Sequence, residues 1–297
     1  MIIVSLFGGL GNQMFQYACG KAIATKLGVE LKLDISLVND RTPRKDFTYR
    51  DYELAVFNIE DEIATEAEVR KFIPNLWNSS EIQRQFYKIK RILTQKVLYT
   101  EKLKFRYNSE IDTVRDNSYI YGYFQTERYF EHIRAELLER FRLKNQVDEK
   151  NAALIKKMQT ENSVSVHVRR GDYTNSPFSL LSVEDYYQKA IDFILEKVEV
   201  PVFYIFTNDP EWVEDNFKVL QINKSIVTIN FGNQSYMDMI LMSNCRHNIC
   251  ANSSFSWWGA WLNTNPNKIV VTPKSWFKST EYVESIYDLI PEKWLSL

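Results

Sequence analysis

Residues 2–35 read IIVSLFGGLGNQMFQYACGKAIATKLGVELKLDI, and this stretch decides the fold class. Residues 2–7 form a short apolar run, as a first strand would. Gly8-Gly9-Leu10-Gly11-Asn12 follows as a loop, and a helix is expected from about Gln13 to Leu27. Gly28 then supplies a C-terminal stop. Val29, Leu31, Leu33 and Ile35 alternate with polar residues, the period of a strand. The chain therefore opens β-loop-α-β.

The second half repeats that alternation of elements. Val164, Val166 and Val168 alternate with Ser165, His167 and Arg169, giving a strand at 163–169. Ser182 reads as the N-cap of a helix over 183–198. Residues 201–206 form an apolar run suited to a strand covered on both faces. Asn208-Asp209-Pro210 offers a cap and a first-turn proline. Strands at 225–230, 246–250 and 268–272 alternate with helices near 234–243 and 254–263. Such alternation implies a parallel, doubly wound sheet, whose ligands bind beyond the carboxyl ends of the strands. Between the halves lie helical patterns at 61–73, 79–97 and 126–142 and a strand at 118–124. The polar segment from Lys144 to Asn151 is either a linker or the start of a helix. The expected domains are 1–150 and 151–297.

The 297 residues are 45% hydrophobic and 25% charged, as in a globular chain able to bury a sizeable core. Lys plus Arg number 37 and Asp plus Glu 38, a formal net charge of −1. No global basic field invites nucleic acid, so any anion must be held by a local cluster. No apolar run approaches the length of a membrane span, and the first residues lack the pattern of a secretory signal. Cys19, Cys245 and Cys250 are too few for a disulfide framework, which fits a reducing cytoplasm. Cys245, His247 and Cys250 match no strong zinc spacing. Neither an Asp-x-Asp element nor a phosphate loop of the Walker type occurs.

Four strand-end sites carry the candidate chemistry. At Gly8–Gln13 the glycines let a ligand approach the backbone and the helix start favours an anion; the plainer reading is a tight turn with Asn12 as N-cap. At His167-Val168-Arg169-Arg170-Gly171-Asp172, two arginines and a histidine converge as an anion site, with guanidinium geometry matched to phosphate. Asp172 either orients a neighbour or serves as a base. At Asn252-Ser253-Ser254-Phe255, a cap, two hydroxyls and backbone N–H groups suit phosphate oxygens. The nearby Trp257, Trp258 and Trp261 are expected to pack in the core. Asn208-Asp209 is the fourth, with plain capping weighed against contact with a base or ribose. A basic stretch over 81–106 reads as a solvated face, or as a surface beside anionic lipid headgroups.

Gly8-Gly9-Leu10-Gly11-Asn12-Gln13-Met14-Phe15-Gln16-Tyr17-Ala18, Gly122-Tyr123-Phe124-Gln125, His167-Val168-Arg169-Arg170-Gly171-Asp172-Tyr173 and Asn252-Ser253-Ser254-Phe255-Ser256-Trp257-Trp258-Gly259-Ala260-Trp261 occur together and in order. This set resembles the α-1,2-fucosyltransferases of glycosyltransferase family 11 in their compact bacterial form, over nearly the whole chain. The resemblance implies a GT-B fold of two Rossmann-like domains facing across a cleft, with acceptor mainly on the first and GDP-sugar on the second. It implies inverting transfer from GDP-L-fucose to the 2-hydroxyl of a galactoside, without a cofactor or required metal, by a cytoplasmic enzyme; the basic stretch over 81–106 adds the expectation of peripheral contact with the inner face of the membrane. In that frame Arg169 stabilises charge on the leaving β-phosphate, Arg170 is secondary, and His167 positions the nucleotide. Asn252, Ser253, Ser254 and Phe255 cradle the diphosphate; Asp209, Gly11 and Asn12 are further donor contacts. The base is unassigned, with Asp172 a candidate. The acceptor is a galactose-terminated oligosaccharide or a lipid-linked repeat.

Two rival readings stand beside this one. Gly9-x-Gly11 with Asp34 at the next strand end is a partial dinucleotide fingerprint, which would make the chain an NAD-linked oxidoreductase. A noncatalytic carbohydrate-binding protein is the other.

Overall fold

The computed structural model describes residues 1–42, 49–73, 97–170, 181–277, 286 and 288–297. The chain divides into two compact units, Met1–Lys144 and Asn145–Leu297, so the division falls at the start of the polar segment. That segment also begins a helix: Asp148 caps Glu149–Thr160 by accepting from the N–H groups of Lys150 and Asn151.

The first unit holds a five-stranded parallel sheet in the order β3-β2-β1-β5-β4. Its strands are β1 (Ile2–Ser5), β2 (Leu31–Asp34), β3 (Glu62–Ile63), β4 (Val97–Thr100) and β5 (Ser118–Tyr121). All four residues of β1 are buried, as expected of a central parallel strand covered on both faces. The helix Leu10–Leu27 follows β1 and ends at Gly28, whose φ of 64° is the left-handed conformation that glycine adopts without strain. The helix begins earlier than the sequence suggests. Gly9 is its N-cap and makes no side-chain cap bond, so Asn12 lies inside the first turn.

The other patterns of this unit are shorter than expected. Residues 61–73 give β3 and a helix only over Glu66–Arg70, because a Thr65–Glu68 capping box fixes the start. Residues 126–142 form two 3-10 turns and then the helix Arg134–Arg140. Phe130 interrupts the pattern at φ −145°, buried against Phe15. Val97, read as a helix end, starts β4. Residues 81–96 of the basic stretch lie outside the described residues. In its remainder, Lys102 pairs with Glu110 at 2.7 Å.

The second unit holds a six-stranded parallel sheet in the order β11-β10-β9-β6-β7-β8. Its strands are β6 (Ser163–Val168), β7 (Val202–Thr207), β8 (Lys224–Val227), β9 (His247–Ile249), β10 (Val270–Thr272) and β11 (Leu295–Ser296). Val164, Val166 and Val168 of β6 join a core with Tyr186, Tyr187, Ile191 and Ile194. Ser163, Ser165 and His167 are buried too, so the alternation in β6 does not mark a solvent face. The two serines on that side are satisfied internally: Asn248 Nδ2 donates to Ser165 Oγ at 2.7 Å and Ser163 Oγ to the Met158 carbonyl at 2.6 Å. Trp257, Trp258 and Trp261 are buried and pack edge-to-face and stacked on one another. Among the described residues, no helix is long and apolar enough to cross a membrane.

Candidate active site

In the second sheet the order of strands reverses once, between β6 and β9, and outside the carboxyl ends of such a pair the two connecting chains diverge and leave a crevice for ligand. In the first sheet β1 lies beside β5, which the chain enters from the far edge by way of β4. Three of the four strand-end motifs lie at these two points, and the fourth, Asn208-Asp209, follows β7 beside β6.

At the β6/β9 point, β6 delivers Arg169 and Arg170, and β9 delivers Cys250 to Ser253 and the helix Ser254–Leu262. Ser253 is the N-cap, its Oγ accepting from the Phe255 N–H at 3.3 Å. Its own O–H and the start of the helix remain as donors toward an anion. Ser254 and Phe255 are partly exposed there, whereas Asn252 is 1% exposed. The Asn252 Nδ2 donates to the Trp276 carbonyl at 2.9 Å, so this side chain braces the loop from within.

Arg170 is built into the next strand end. Its N–H donates to Asn208 Oδ1 at 3.0 Å, its guanidinium lies 3.8 Å from the Trp212 ring centroid, and its Nε is 3.5 Å from Asp209 Oδ2. Asp209 is also the N-cap of the helix Pro210–Asn216, accepting from the Trp212 N–H at 3.2 Å. Asp209 thus caps the helix, as the plainer reading has it, and holds Arg170 as well. Arg169 stands partly exposed beside it.

His167 departs from the sequence expectation. It is 4% exposed, with its ring 5.7 Å from that of Phe255. Burial first, and the Arg169 charge second, push its pKa down to about 3. The imidazole is neutral at physiological pH and adds no positive charge; its buried Nδ1 has no hydrogen-bond partner. Gly171 and Asp172 lie outside the described residues.

The β1/β5 point is organised by Gln13. This fully buried side chain donates from Nε2 to the Gly8 and Asp51 carbonyls, both at 2.8 Å, and accepts from the Glu53 N–H at 3.0 Å. Residues 51–53 are thereby clamped onto the Gly8-Gly9 turn. Asn12 Oδ1 accepts from Gln125 Nε2 at 3.0 Å, and Gly11 is buried in the helix. Glu101, at the end of β4, accepts from the N–H groups of Tyr123 at 2.7 Å and Phe124 at 3.1 Å. It holds Phe124 in its left-handed conformation, φ 53°. Glu53 and Glu101 escape a reading of the sequence because their partners come from other segments.

The oxidoreductase reading loses its two supports here. Asp34 is 3% exposed and accepts from the Tyr119 hydroxyl at 2.6 Å and the Ser36 N–H at 2.9 Å, leaving no reach to a ribose. Over the turn where a pyrophosphate would sit lie the Arg50 and Glu53 side chains, 3.9 and 4.0 Å from the position a Cβ on Gly9 would take. Cys245 and Cys250 are free buried thiols, and His247 Nδ1 accepts from the Ile269 N–H at 3.0 Å.

Comparison with known proteins agrees with this architecture. An alpha-1,2-colitosyltransferase of Escherichia coli is 33% identical, covering 100% of this chain and 99% of its own length. The O-antigen biosynthesis glycosyltransferase WbnK of Escherichia coli is also 33% identical, over 98% of this chain and 99% of that one. The galactoside alpha-(1,2)-fucosyltransferase 2 of Rattus norvegicus is 27% identical over 48% of this chain and 42% of its own. Among solved structures, the fucosyltransferase NodZ from Bradyrhizobium superposes with a TM-score of 0.50 at 16% identity, covering 87% of this chain and 91% of that one. A mutant of Arabidopsis thaliana FUT1 in complex with GDP also gives 0.50, at 12% identity over 91% and 70%. These two likenesses show the fold, which is GT-B. The family model "Glycosyl transferase family 11" matches residues 1–295. Two parallel sheets with the expected motifs at the ends of their strands, and a family match spanning almost the whole chain, make this protein a glycosyltransferase of family 11.

Proposed function

We propose that the chain transfers L-fucose from GDP-L-fucose, with inversion, to the 2-hydroxyl of a galactoside. The observation that carries this reading is the pairing of Arg169-Arg170 with the start of the helix Ser254–Leu262 at one reversal point. A fixed cation pair and a helix N-terminus suit a diphosphate that gains charge as it leaves. Family membership and the α-1,2 linkage named in the relatives support the linkage.

The donor C1–O bond breaks and its electron pair passes to the β-phosphate oxygen. Arg169 stabilises that charge. Arg170, stacked on Trp212, fixes the loop and supports Arg169. The Ser253 hydroxyl, Ser254 and the backbone at Phe255 bind the other phosphate oxygens. His167, neutral and buried, shapes the floor and does not shuttle the proton. The second unit thus binds the nucleotide and the first takes the acceptor. Charge stabilisation by arginine needs no metal ion.

The full-length similarity to a colitosyltransferase favours a second reading, in which the sugar is colitose, which lacks the 3-hydroxyl of fucose. Assays with GDP-fucose and GDP-colitose against galactosides and a lipid-linked galactose-terminated repeat, with NMR of the product linkage, decide between them. Transfer undiminished by excess chelator is expected. A requirement for a divalent ion, or a linkage other than α-1,2, would refute the corresponding part.

A further inference from the structure

The Gly122–Gln125 motif has no part in the nucleotide site, yet it follows β5 beside the turn that ends β1. Burial changes abruptly there: Ser118, Tyr119 and Ile120 are buried, whereas Tyr121 is 38% exposed. The Tyr121 ring stacks on that of Phe7, with centroids 5.0 Å apart and planes at 25°. Tyr123 meets Phe7 edge-on at 4.7 Å. Phe7 and Tyr123 are partly exposed as well, unlike the rings of a core cluster. The three rings form a shelf at the carboxyl ends of β1 and β5, wholly within the first unit.

Each ring is fixed through its backbone. The Phe7 N–H donates to Gln16 Oε1 at 3.0 Å, and Tyr121 is paired in register with Thr100 of β4. The Tyr123 N–H is held by Glu101, whose approach requires Gly122, because a Cβ there would overlap the Glu101 side chain. A polar group stands at the margin of the shelf. Gln125 Nε2 takes the Asn12 Oδ1, which turns the Asn12 Nδ2 toward Gly8, 2.6 Å from the position a Cβ on that glycine would take. A shelf ordered in this way needs little further ordering when a ligand arrives.

Resting on the function proposed above, we propose that Phe7, Tyr121 and Tyr123 bind the terminal galactose of the acceptor, with the Tyr121 ring against the sugar. Phe7 takes one face of that ring, so its exposed area is the other face and the hydroxyl edge. An aromatic face is negative and attracts the weakly positive C–H groups of a sugar. In a galactopyranose the axial 4-hydroxyl leaves the hydrogens on C3, C4 and C5 together on one side of the ring, an apolar patch that fits such a face. In the gluco epimer the hydrogen on C4 points to the opposite side and the patch is broken. The Asn12 Nδ2 donates to a hydroxyl at the edge of the ring.

Saturation-transfer NMR of the full chain with methyl β-galactoside and methyl β-glucoside tests this directly, without donor. The galactoside hydrogens on C3, C4 and C5 should receive the most saturation, and the glucoside less. Tyr121→Leu keeps apolar bulk against Phe7 but has no π face, so it separates stacking from packing, and it carries the test should Tyr121→Ala fail to fold. In both variants the saturation pattern should vanish and the KM for the galactoside should rise about three- to tenfold. The kcat and the KM for the sugar nucleotide should stay as in wild type, the mark of lost ground-state binding. Tyr121→Phe keeps the ring and should restore wild-type values. A galactoside KM of Tyr121→Leu within about twofold of wild type, below the usual yield of an aromatic contact, would overturn the proposal. So would wild-type saturation that is absent or spread evenly around the galactose ring. Wild-type protein that shows the expected pattern but transfers no sugar to any galactoside would instead overturn the functional reading and leave the shelf as a galactoside-binding site.

Discussion

Arg169 and Arg170 are adjacent in sequence, yet the structure gives them different work, and replacing each by alanine should separate it. The Arg170 guanidinium lies 3.8 Å from the Trp212 ring centroid, and its side chain is 20% exposed. A cation so placed, largely shielded from water, contributes about 1–2 kcal/mol through the ring. The Asp209 carboxylate, 3.5 Å away and 38% exposed, adds only about 0–1 kcal/mol, because solvent screens it and the Arg170 Nε makes no hydrogen bond. Arg170→Ala should therefore cost about 2 kcal/mol. For a domain of this size that is roughly 4–8 °C in Tm. The backbone bond to Asn208 survives the change, so the loop loosens without unfolding. Arg169→Ala should instead lower kcat by about 10²- to 10³-fold, as expected when a donor to developing charge is removed. Thermal unfolding and steady-state transfer on both variants test the division. A Tm of Arg170→Ala within about 1 °C of wild type, far inside the expected shift, would refute the stacking argument, and kcat of Arg169→Ala within about threefold, against the usual loss, would refute the charge argument.

Three further outcomes follow from the geometry. A Cβ on Gly122 would overlap the Glu101 Cβ and stand 2.9 Å from Phe124 Cζ, so Gly122→Ala should cost about 1–3 kcal/mol, read as a lowered Tm, and release the Tyr123–Phe124 turn. Ser253→Ala removes a helix cap and should cost about 1 kcal/mol while weakening GDP binding in calorimetry. The third concerns pH. His167 has its folded pKa pushed down to about 3, so between its unfolded value near 6.5 and that value the unfolded chain binds the extra proton and stability falls as pH falls. Asp238 has its carboxyl raised to about 6 by burial, so between pH 6 and about 4 the native state binds the extra proton and stability rises as pH falls. The two nearly cancel over that window. Asp238→Asn should expose a loss of roughly 1.4 kcal/mol per pH unit relative to wild type in denaturant titrations from pH 6 to 4. Parallel curves for the two proteins would refute it.

Much of the second unit is legible in the sequence because its signals are local. Ser182, Asp209 and Ser253 cap the helices that follow them, each through an N–H two or three residues on. The strands read at 225–230, 246–250 and 268–272 appear as β8, β9 and β10 within a few residues. Asn12 misleads because its neighbour Gly9 takes the cap position, and the pattern at 126–142 misleads because Phe130 is drawn into the core. β3 and β11, of two residues each, are too short to show a period.

The sequence by itself determined the α/β alternation, the glycine turn after β1, the burial of the tryptophans and the four strand-end motifs. Periodicity and capping act over a few residues, and those distances are written in the chain. Tertiary structure decided the order of the strands, and so which motifs share a reversal point. It also decided the charge of His167, which burial sets, and the fate of Asp34, taken by a tyrosine 85 residues away. Glu53 reaches Gly9 only because Gln13, 40 residues earlier, clamps its backbone. Interactions between segments so far apart leave no local period, and only the folded chain brings their energies together.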